Sequence, residues 1–361
     1  MSGSVRGLIA NLVFSAPTLL WAQEAGTDST EAKHVRFSGF VDVYYAYDLG
    51  HPSDDERPQF LYQYDRHNEV DLNLGLVRVD YTKERVRAAF GLMAGTYAQA
   101  NLINEPELMR NIYEARVGMK MSRKHELWLD AGIFTSHIGM ESAIAVDNWA
   151  LTRSIIAENT PYYLSGAKLT WTRSPKLELA LVFMNGWQRI RRVQNDTPCL
   201  GTQILFTPRK GVQFNWSTFA GSDTPDSLGL YRVFHNLWFS HEREKWGYRV
   251  GADVGVQEDP DNGWNSWAGA LAIVRRKFGA DHAVVARAEY YTDPDQVMVS
   301  TGTPHGLTTL GYSLGMETMV MPDAVVRFEA RTFHGVDPVF TSTHGSVRDN
   351  TCFTISMAAR F

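Results

Sequence analysis

Residues Asp349 to Phe361 alternate between apolar and polar side chains along the whole stretch. One face of an extended strand here carries Phe353, Ile355, Met357 and Phe361, while the other face carries small or polar residues. Strands of transmembrane barrels alternate in this way, with the apolar face toward lipid and the polar face toward an aqueous interior. This stretch therefore predicts a membrane-crossing strand.

The same alternation recurs along the rest of the chain. From residue 35 onward it divides into sixteen segments of 8 to 13 residues, which is the length of strands that cross a bilayer at a tilt. The clearest are residues 245–256 and 324–334, where charged residues of both signs occupy the face that would not contact lipid. Charges of this kind would be costly in a dry core but suit a wet interior.

The connections between these segments alternate between short and long. Residues 81–84 and 122–125 form tight connections, whereas 48–68 and 98–111 form long ones. Short turns at one rim and long loops at the other are typical of outer-membrane barrels. We therefore predict an all-β transmembrane antiparallel up-and-down β-barrel of about 16 strands, with both termini in the periplasm. A secreted propeller or sandwich would instead show a fixed repeat, and the sequence has none.

Composition supports this fold class and excludes others. The apolar fraction is an ordinary 44%, and after the amino terminus no run approaches the roughly 18 apolar residues that a membrane helix needs. Aromatic residues make up 12% of the chain, as expected for the two aromatic girdles of a barrel. A formal charge of −5 without basic clusters gives no indication of nucleic-acid binding.

The amino terminus predicts export. Residues 1–22 combine Arg6 with a mostly apolar stretch and a small residue, Ala22, which predicts a signal peptide. Residues 23–34 would form a short periplasmic lead, and residues 35–361 the barrel. Cys199 and Cys352 fall about half a circumference apart in the predicted barrel, so we expect no disulfide between them.

The third long connection, Thr135 to Tyr162, spans about 28 residues and is unusually long. In sixteen-stranded porins the third outer loop folds into the lumen and narrows it, and we expect this one to do the same. An ordinary surface loop over the barrel mouth is the alternative. The charged residues proposed to form the constriction are Glu141, Asp147, Arg153 and Glu158.

Other charges would line the pore from the strands. Alternation places a nearly balanced set of basic and acidic residues on the inward face, where charged rings and pore width would set selectivity. The predicted pore-lining residues are Arg87, Glu114, Arg116, Arg249, Asp253, Arg327, Glu329 and Arg331.

Several short motifs resemble the OmpL-like type-two β-barrel porins. They are Gly132-Ile133-Phe134, His137-Ile138-Gly139-Met140-Glu141, Asn148, Thr152-Arg153-Ser154, Pro161-Tyr162-Tyr163 with Gly166, and Asn185-Gly186-Trp187. The resemblance covers about residue 35 to the end and implies an outer-membrane channel without a defined substrate. Resemblance to barrel carboxyl termini further implies that the barrel-assembly machinery recognises Phe353, Ile355, Met357 and Phe361.

Catalytic and metal-binding alternatives have weak support. Ser240 and His241 could belong to a barrel lipase, and Asp293, Asp295 and His305 to an outer-rim protease, but so many His and acidic residues produce such sets by chance. The acidic segment 257–263 lacks the spacing of a calcium loop and suits a tight turn. We therefore expect no enzyme activity, no metal and no cofactor.

Two functions remain open at this point. The first is a passive aqueous diffusion channel for small polar solutes or ions in the bacterial outer membrane. The second is a barrel filled by its own loops that acts as a surface adhesin or structural protein. Outer-membrane lipid is an expected partner in both cases, and the acidic segment 54–56 either keeps an outer loop solvated or binds lipopolysaccharide through divalent ions.

Overall fold

A computed structural model of the protein describes residues 34–361. The predicted signal peptide, 1–22, and nearly all of the predicted lead, 23–34, lie outside the described residues. Within the described part of the chain, no helix is long and apolar enough to cross a membrane.

Sixteen antiparallel strands close into one barrel, as predicted, with each strand paired to its neighbours in chain order. The barrel strands are β1 (Val35–Asp48), β2 (Val70–Lys83), β3 (Val86–Ala94), β4 (Ile112–Lys120), β5 (Glu126–Thr135), β6 (Tyr163–Ser174), β7 (Leu177–Met184), β8 (Cys199–Arg209), β9 (Val212–Ser222), β10 (Tyr231–Glu242), β11 (Trp246–Asp259), β12 (Gly263–Phe278), β13 (His282–Asp293), β14 (Leu307–Met321), β15 (Ala324–Gly335) and β18 (Asp349–Arg360).

The remaining elements are short and lie in the connections. A small hairpin, β16 (Phe340–Ser342) and β17 (Gly345–Val347), lies between β15 and β18. Two short helices, α1 (Thr96–Asn101) and α2 (Ile155–Glu158), lie in the second and third long connections. Single 3-10 turns occur at Glu107–Asn111 and Ala145–Asp147.

The first and last strands close the barrel. Phe40 of β1 is opposite Arg360 of β18, and Tyr45 is opposite Ile355. Beyond the last strand, the Gly39 N–H donates to the Phe361 carbonyl at 2.7 Å, and the Phe361 N–H donates to the Gly39 carbonyl at 3.1 Å. The start of the first strand and the end of the last strand therefore both lie at the rim that carries the tight turns, as an even number of strands requires.

Alternation along the strands separates two environments. Leu237, Val250 and Leu314 point outward and are about half exposed, at 50%, 48% and 59%. Inward-facing neighbours such as Asp253 and Ser313 are buried. The outer surface is thus apolar, as a lipid contact requires, and the polar side chains face the interior.

The segments between strands differ between the two rims. On the rim that carries the long loops, the connection predicted at 257–263 is an exception: it is a tight turn, because β11 continues to Asp259 and β12 starts at Gly263. Loop 3 (residues 136–162) enters the barrel, and so does loop 1 (residues 49–69), which we had not predicted.

Cys199 and Cys352 are both buried and unpaired, as expected.

Candidate functional site

Loop 3 crosses the lumen from one wall to the other. It leaves the end of β5 and returns to β6, where the Ser136 N–H donates to the Tyr162 carbonyl at 2.7 Å. Between these points it contacts β13 and β15, on the opposite side of the barrel. The inward fold predicted for this loop is therefore present.

A group of buried ion pairs holds the far end of loop 3. We call Arg287, Glu289, Glu329 and Arg331 the buried anchor; their side chains are at most 3% exposed. Arg287 pairs with Glu329 at 2.7 Å and Arg331 with Glu289 at 2.8 Å. Each pair leaves carboxylate oxygens free to accept hydrogen bonds from the loop.

The loop backbone fills those remaining positions. The Thr152 N–H and hydroxyl donate to the two Glu329 oxygens at 2.8 and 2.9 Å, and the Ile155 N–H donates to Glu289 at 2.7 Å. Arg287 in turn donates to the Thr152 carbonyl at 2.6 Å. The anchor therefore pairs its own charges and binds the backbone N–H groups of Thr152 and Ile155 in the lumen.

Other contacts fix the middle of loop 3. Arg327 donates to the carbonyls of Ala145 and Asn148 at 2.6 and 3.1 Å. Arg360 pairs with Asp147 at 2.8 Å. These bonds hold the segment around Ala145 against β15 and β18.

Glycines on the wall make room for apolar side chains of the loop. Ile156 lies against Gly269 of β12 and Trp149 against Gly247 of β11, and a Cβ at either glycine would overlap these side chains. The Arg249 guanidinium lies over the Trp149 ring, 4.0 Å from its centroid. The loop therefore packs directly onto the strand backbones on this side.

Loop 1 lies beside loop 3 inside the barrel. The Tyr64 hydroxyl donates to Asp42 of β1 at 2.8 Å, and Tyr64 is fully buried. The Tyr62 N–H donates to Glu158 at 3.0 Å, and the Gln63 side chain donates to the Ala143 carbonyl at 3.0 Å. The alternating aromatics Phe60, Tyr62 and Tyr64 were the sequence signal that could have predicted this inward fold.

A second group of charges lies on the wall formed by β1 to β5. It is a continuous chain of ion pairs, which we call the charge ladder, and its members in order are Arg36, Asp80, Arg78, Glu114, Arg116, Asp130 and Arg87. The Arg78 guanidinium, for example, contacts Asp80 at 2.7 Å and Glu114 at 2.9 Å. In contrast to the buried anchor, the four arginine side chains are 12% to 33% exposed.

The predicted constriction residues all lie on loop 3 inside the barrel, in two environments. Glu141 is partly exposed and accepts a hydrogen bond from the Ser154 N–H at 3.0 Å, while the Asp147 side chain is 31% exposed. Arg153 and Glu158 are only 2% and 3% exposed and lie within the packed loops. Glu141 and Asp147 are thus the two that are partly exposed, although the Glu141 Oε1 atom is itself buried.

The predicted pore-lining residues all face inward, but the structure distributes them among different surroundings. Arg87, Glu114 and Arg116 belong to the charge ladder, while Arg327, Glu329 and Arg331 lie beneath loop 3. Arg249 lies under Trp149, and Asp253 is buried and accepts from Asn236 at 2.5 Å.

Our sequence analysis missed four inward charges on the ladder side: Arg36, Arg78, Asp80 and Lys168. Alternation with the outward-facing Val77 and Val79 was the signal that could have placed Arg78 and Asp80 in the lumen.

The last strand presents its apolar side outward. Phe353, Ile355, Met357 and Phe361 are 38%, 46%, 57% and 75% exposed. The Phe361 ring covers Gly39, where a Cβ would overlap it.

Three of the residues considered for catalysis, Ser240, Asp293 and His305, form hydrogen bonds or ion pairs with neighbouring groups. Ser240 accepts from Arg249 at 3.4 Å, and Asp293 accepts three backbone N–H bonds, from Val297, Met298 and Val299. His305 is bound to Asp337 at 3.1 Å. Among residues 34–361, no group of three or more His, Cys, Asp or Glu side chains could hold a metal ion.

Comparison with known proteins adds a family and a fold. A family model described as "Putative beta-barrel porin-2, OmpL-like" matches residues 34–361. No curated protein matches the chain significantly.

Solved structures share the fold at very low identity. The anion-selective porin from Comamonas acidovorans is 10% identical, with 91% of this chain and 99% of that chain covered and a TM-score of 0.61. The outer-membrane channel DcaP of Acinetobacter baumannii is 9% identical, with 94% and 100% covered and a TM-score of 0.60. Salmonella typhi OmpF is 10% identical, with 91% and 97% covered and a TM-score of 0.58.

Proposed function

The chain belongs to the OmpL-like beta-barrel porin-2 family, and from this premise we propose that small polar solutes and ions diffuse passively through its lumen across the bacterial outer membrane. The charge ladder is the observation that carries this proposal. Its four arginines lie on the inner wall yet keep contact with water, at 12% to 33% exposure. Charged side chains in this state suit a hydrated passage, since a dry interior would leave them poorly solvated.

Loop 3 would form the narrowest part of this passage. It crosses the barrel and brings the partly exposed Glu141 and Asp147 to the lumen. These two residues, with Asp147 paired to Arg360 and Glu141 bonded to Ser154, would line this passage, while the buried Arg153 and Glu158 would hold the loops together. A charge acts most strongly where the pore is narrow and water is scarce.

Orientation and partners follow from the same proposal. The rim with the tight turns, Val35 and Phe361 would face the periplasm, and the long loops would face the medium. The exposed acidic segment 54–56 of loop 1 would contact lipopolysaccharide through divalent ions. The apolar side of the last strand would be recognised by the barrel-assembly machinery, residues 1–22 would direct export, and no catalytic activity is expected.

Conductance in planar bilayers tests the channel function. The purified full-length protein, folded in detergent, should produce discrete current steps in potassium chloride. The same preparation after thermal denaturation serves as the control and should produce none. Folded protein that inserts into the bilayer without current steps would contradict a channel function.

The packing of the loops supports a second candidate, a barrel filled by its own loops that acts at the surface. Tyr64 of loop 1 and Ile155 of loop 3 are both 0% exposed. If this candidate is correct, the intact protein should not conduct, and current steps should appear only when loop 1 or loop 3 is shortened. Current steps from the intact protein would exclude it.

A further inference from the structure

The charge ladder contains more cationic than anionic groups. Its ion pairs join four arginines to only three carboxylates, Asp80, Glu114 and Asp130. Each carboxylate contacts two arginines, so the arginines at the two ends of the ladder have one partner each. The ladder therefore has a formal charge of +1, from four positive and three negative groups.

Two of the three carboxylates, Glu114 and Asp130, are also less accessible than any of the four arginines. The side chains of Asp130 and Glu114 are 1% and 5% exposed, and that of Asp80 is 17% exposed. The end arginines, Arg36 and Arg87, are 33% and 24% exposed. Water in the lumen therefore contacts mainly guanidinium groups, and the carboxylates of Glu114 and Asp130 lie behind them.

Lys168 adds a further positive charge next to the ladder. It faces inward on β6 directly opposite Asp130 of β5 and is partly exposed. Its ammonium lies 5.2 Å from the centroid of the Phe134 ring. Within residues 34–361 it forms no ion pair with a carboxylate, so its charge is not neutralised by direct contact.

Loop 3 does not cancel this excess. Its partly exposed Asp147 is paired with Arg360 at 2.8 Å, and in the Glu141 carboxylate one oxygen accepts from the Ser154 N–H at 3.0 Å while the other is buried. At the rim, Glu126 is paired with Lys120. The ladder and Lys168 together thus contain five cationic groups and three carboxylates.

We propose that the channel prefers anions over cations and that the charge ladder with Lys168 is its selectivity surface; this rests on the proposed channel function. The carboxylates hold each guanidinium in place, so the positive groups are already oriented when an anion arrives. A guanidinium group binds a carboxylate through two parallel hydrogen bonds, and the positive electrostatic potential of the surface is sufficient to attract chloride. The favoured solutes are therefore chloride and small organic carboxylates.

Reversal potentials across a potassium chloride gradient test this proposal. The intact protein should be more permeable to chloride than to potassium. Lys168→Gln and Arg36→Gln should each lower the chloride-to-potassium permeability ratio by about twofold, because each removes one of few charges near the path. Lys210→Gln is the matched control, since Lys210 is exposed in the turn between β8 and β9, and it should leave the ratio unchanged.

The outcomes separate the two levels of the proposal. Current steps with a preference for potassium would overturn the selectivity proposal and leave the channel function intact. An unchanged ratio in both variants, with heat-dependent gel mobility that shows a folded barrel, would also overturn it. Folded protein without current steps would overturn the channel function itself, and the selectivity proposal with it.

Discussion

The buried anchor and the charge ladder are built from the same residue types but lie in opposite environments. In both, inward-facing arginines and carboxylates form ion pairs within and between strands, and the anchor pairs join β13 to β15 across the intervening β14. The anchor side chains are at most 3% exposed, whereas the ladder arginines are 12% to 33% exposed. Loop 3 causes the difference, because Thr152 and Ile155 bind the anchor directly.

This contrast teaches that the role of an inward charge on a barrel wall cannot be assigned until it is known whether a loop covers that charge. When a loop covers an ion pair, both charged partners must be present, because a buried charge without a partner destabilises the folded state by several kcal/mol. In contact with water, a pair contributes little to stability, and its charge is available to solutes. The following predictions test this division, from the largest expected effect to the smallest.

Removal of the loop should have the largest effect. Replacing Ser142 to Glu158 with a short Gly-Ser linker should raise single-channel conductance about twofold or more, because sixteen strands enclose a wide lumen when it is not obstructed. Single-channel recording measures the change, and heat-dependent gel mobility checks folding. Unchanged conductance in a folded barrel would mean that loop 3 does not limit the current.

A substitution in the buried anchor should have the next largest effect. Glu329→Gln removes the charge that pairs with Arg287 and accepts from Thr152, so we expect a loss of roughly 3 kcal/mol in the free energy of unfolding. Urea unfolding in lipid vesicles measures it, and current noise should increase as the loop loosens. A loss below about 1 kcal/mol would show that the anchor is not essential.

The matched substitution in the ladder should affect selectivity more than stability. Asp80→Asn removes a carboxylate that is 17% exposed and leaves Arg78 paired with Glu114. We expect a loss of at most about 1 kcal/mol in the free energy of unfolding and a rise in the chloride-to-potassium permeability ratio of up to about twofold. A stability loss as large as that of Glu329→Gln would remove the distinction between the two walls.

The smallest effect is expected on the exposed part of loop 3. Asp147→Asn breaks the pair with Arg360, in which the two side chains are 31% and 22% exposed. The free energy of unfolding should fall by less than about 1 kcal/mol, and conductance should stay within the error of the intact protein. A clear increase in conductance would show that this pair, together with the anchor, holds the loop in the lumen.

The local alternation of apolar and polar side chains was sufficient to predict the strands and which face of each strand points into the barrel. Because side chains point to opposite sides at every second residue, the pattern at 245–256 assigned Arg249 and Asp253 to the interior, where the structure has them. The inward fold of loop 3 was predicted from its length and place in the chain. The constriction role of Glu141, Asp147, Arg153 and Glu158 stays a prediction.

Long-range contacts could not be predicted in the same way. Tyr64 binds Asp42 across 22 residues, and Thr152 binds Glu329 across 177, with no local pattern connecting the partners. The entry of loop 1 into the lumen was missed for this reason. The exposure of Arg78 and the burial of Arg331 could not be distinguished either, since both occupy inward positions on alternating strands.

The sequence by itself therefore determined the barrel, its strand number, its lipid face and the inward direction of the eight predicted pore-lining charges, because each depends on neighbours one or two residues away. Only the tertiary structure decided which of those charges are covered and which contact water. Which charges are covered depends on the part of the inner wall that loops 1 and 3 pack against, and many parts of that wall have similar polarity. Hydrogen bonds between residues far apart in the chain fix the position of each loop.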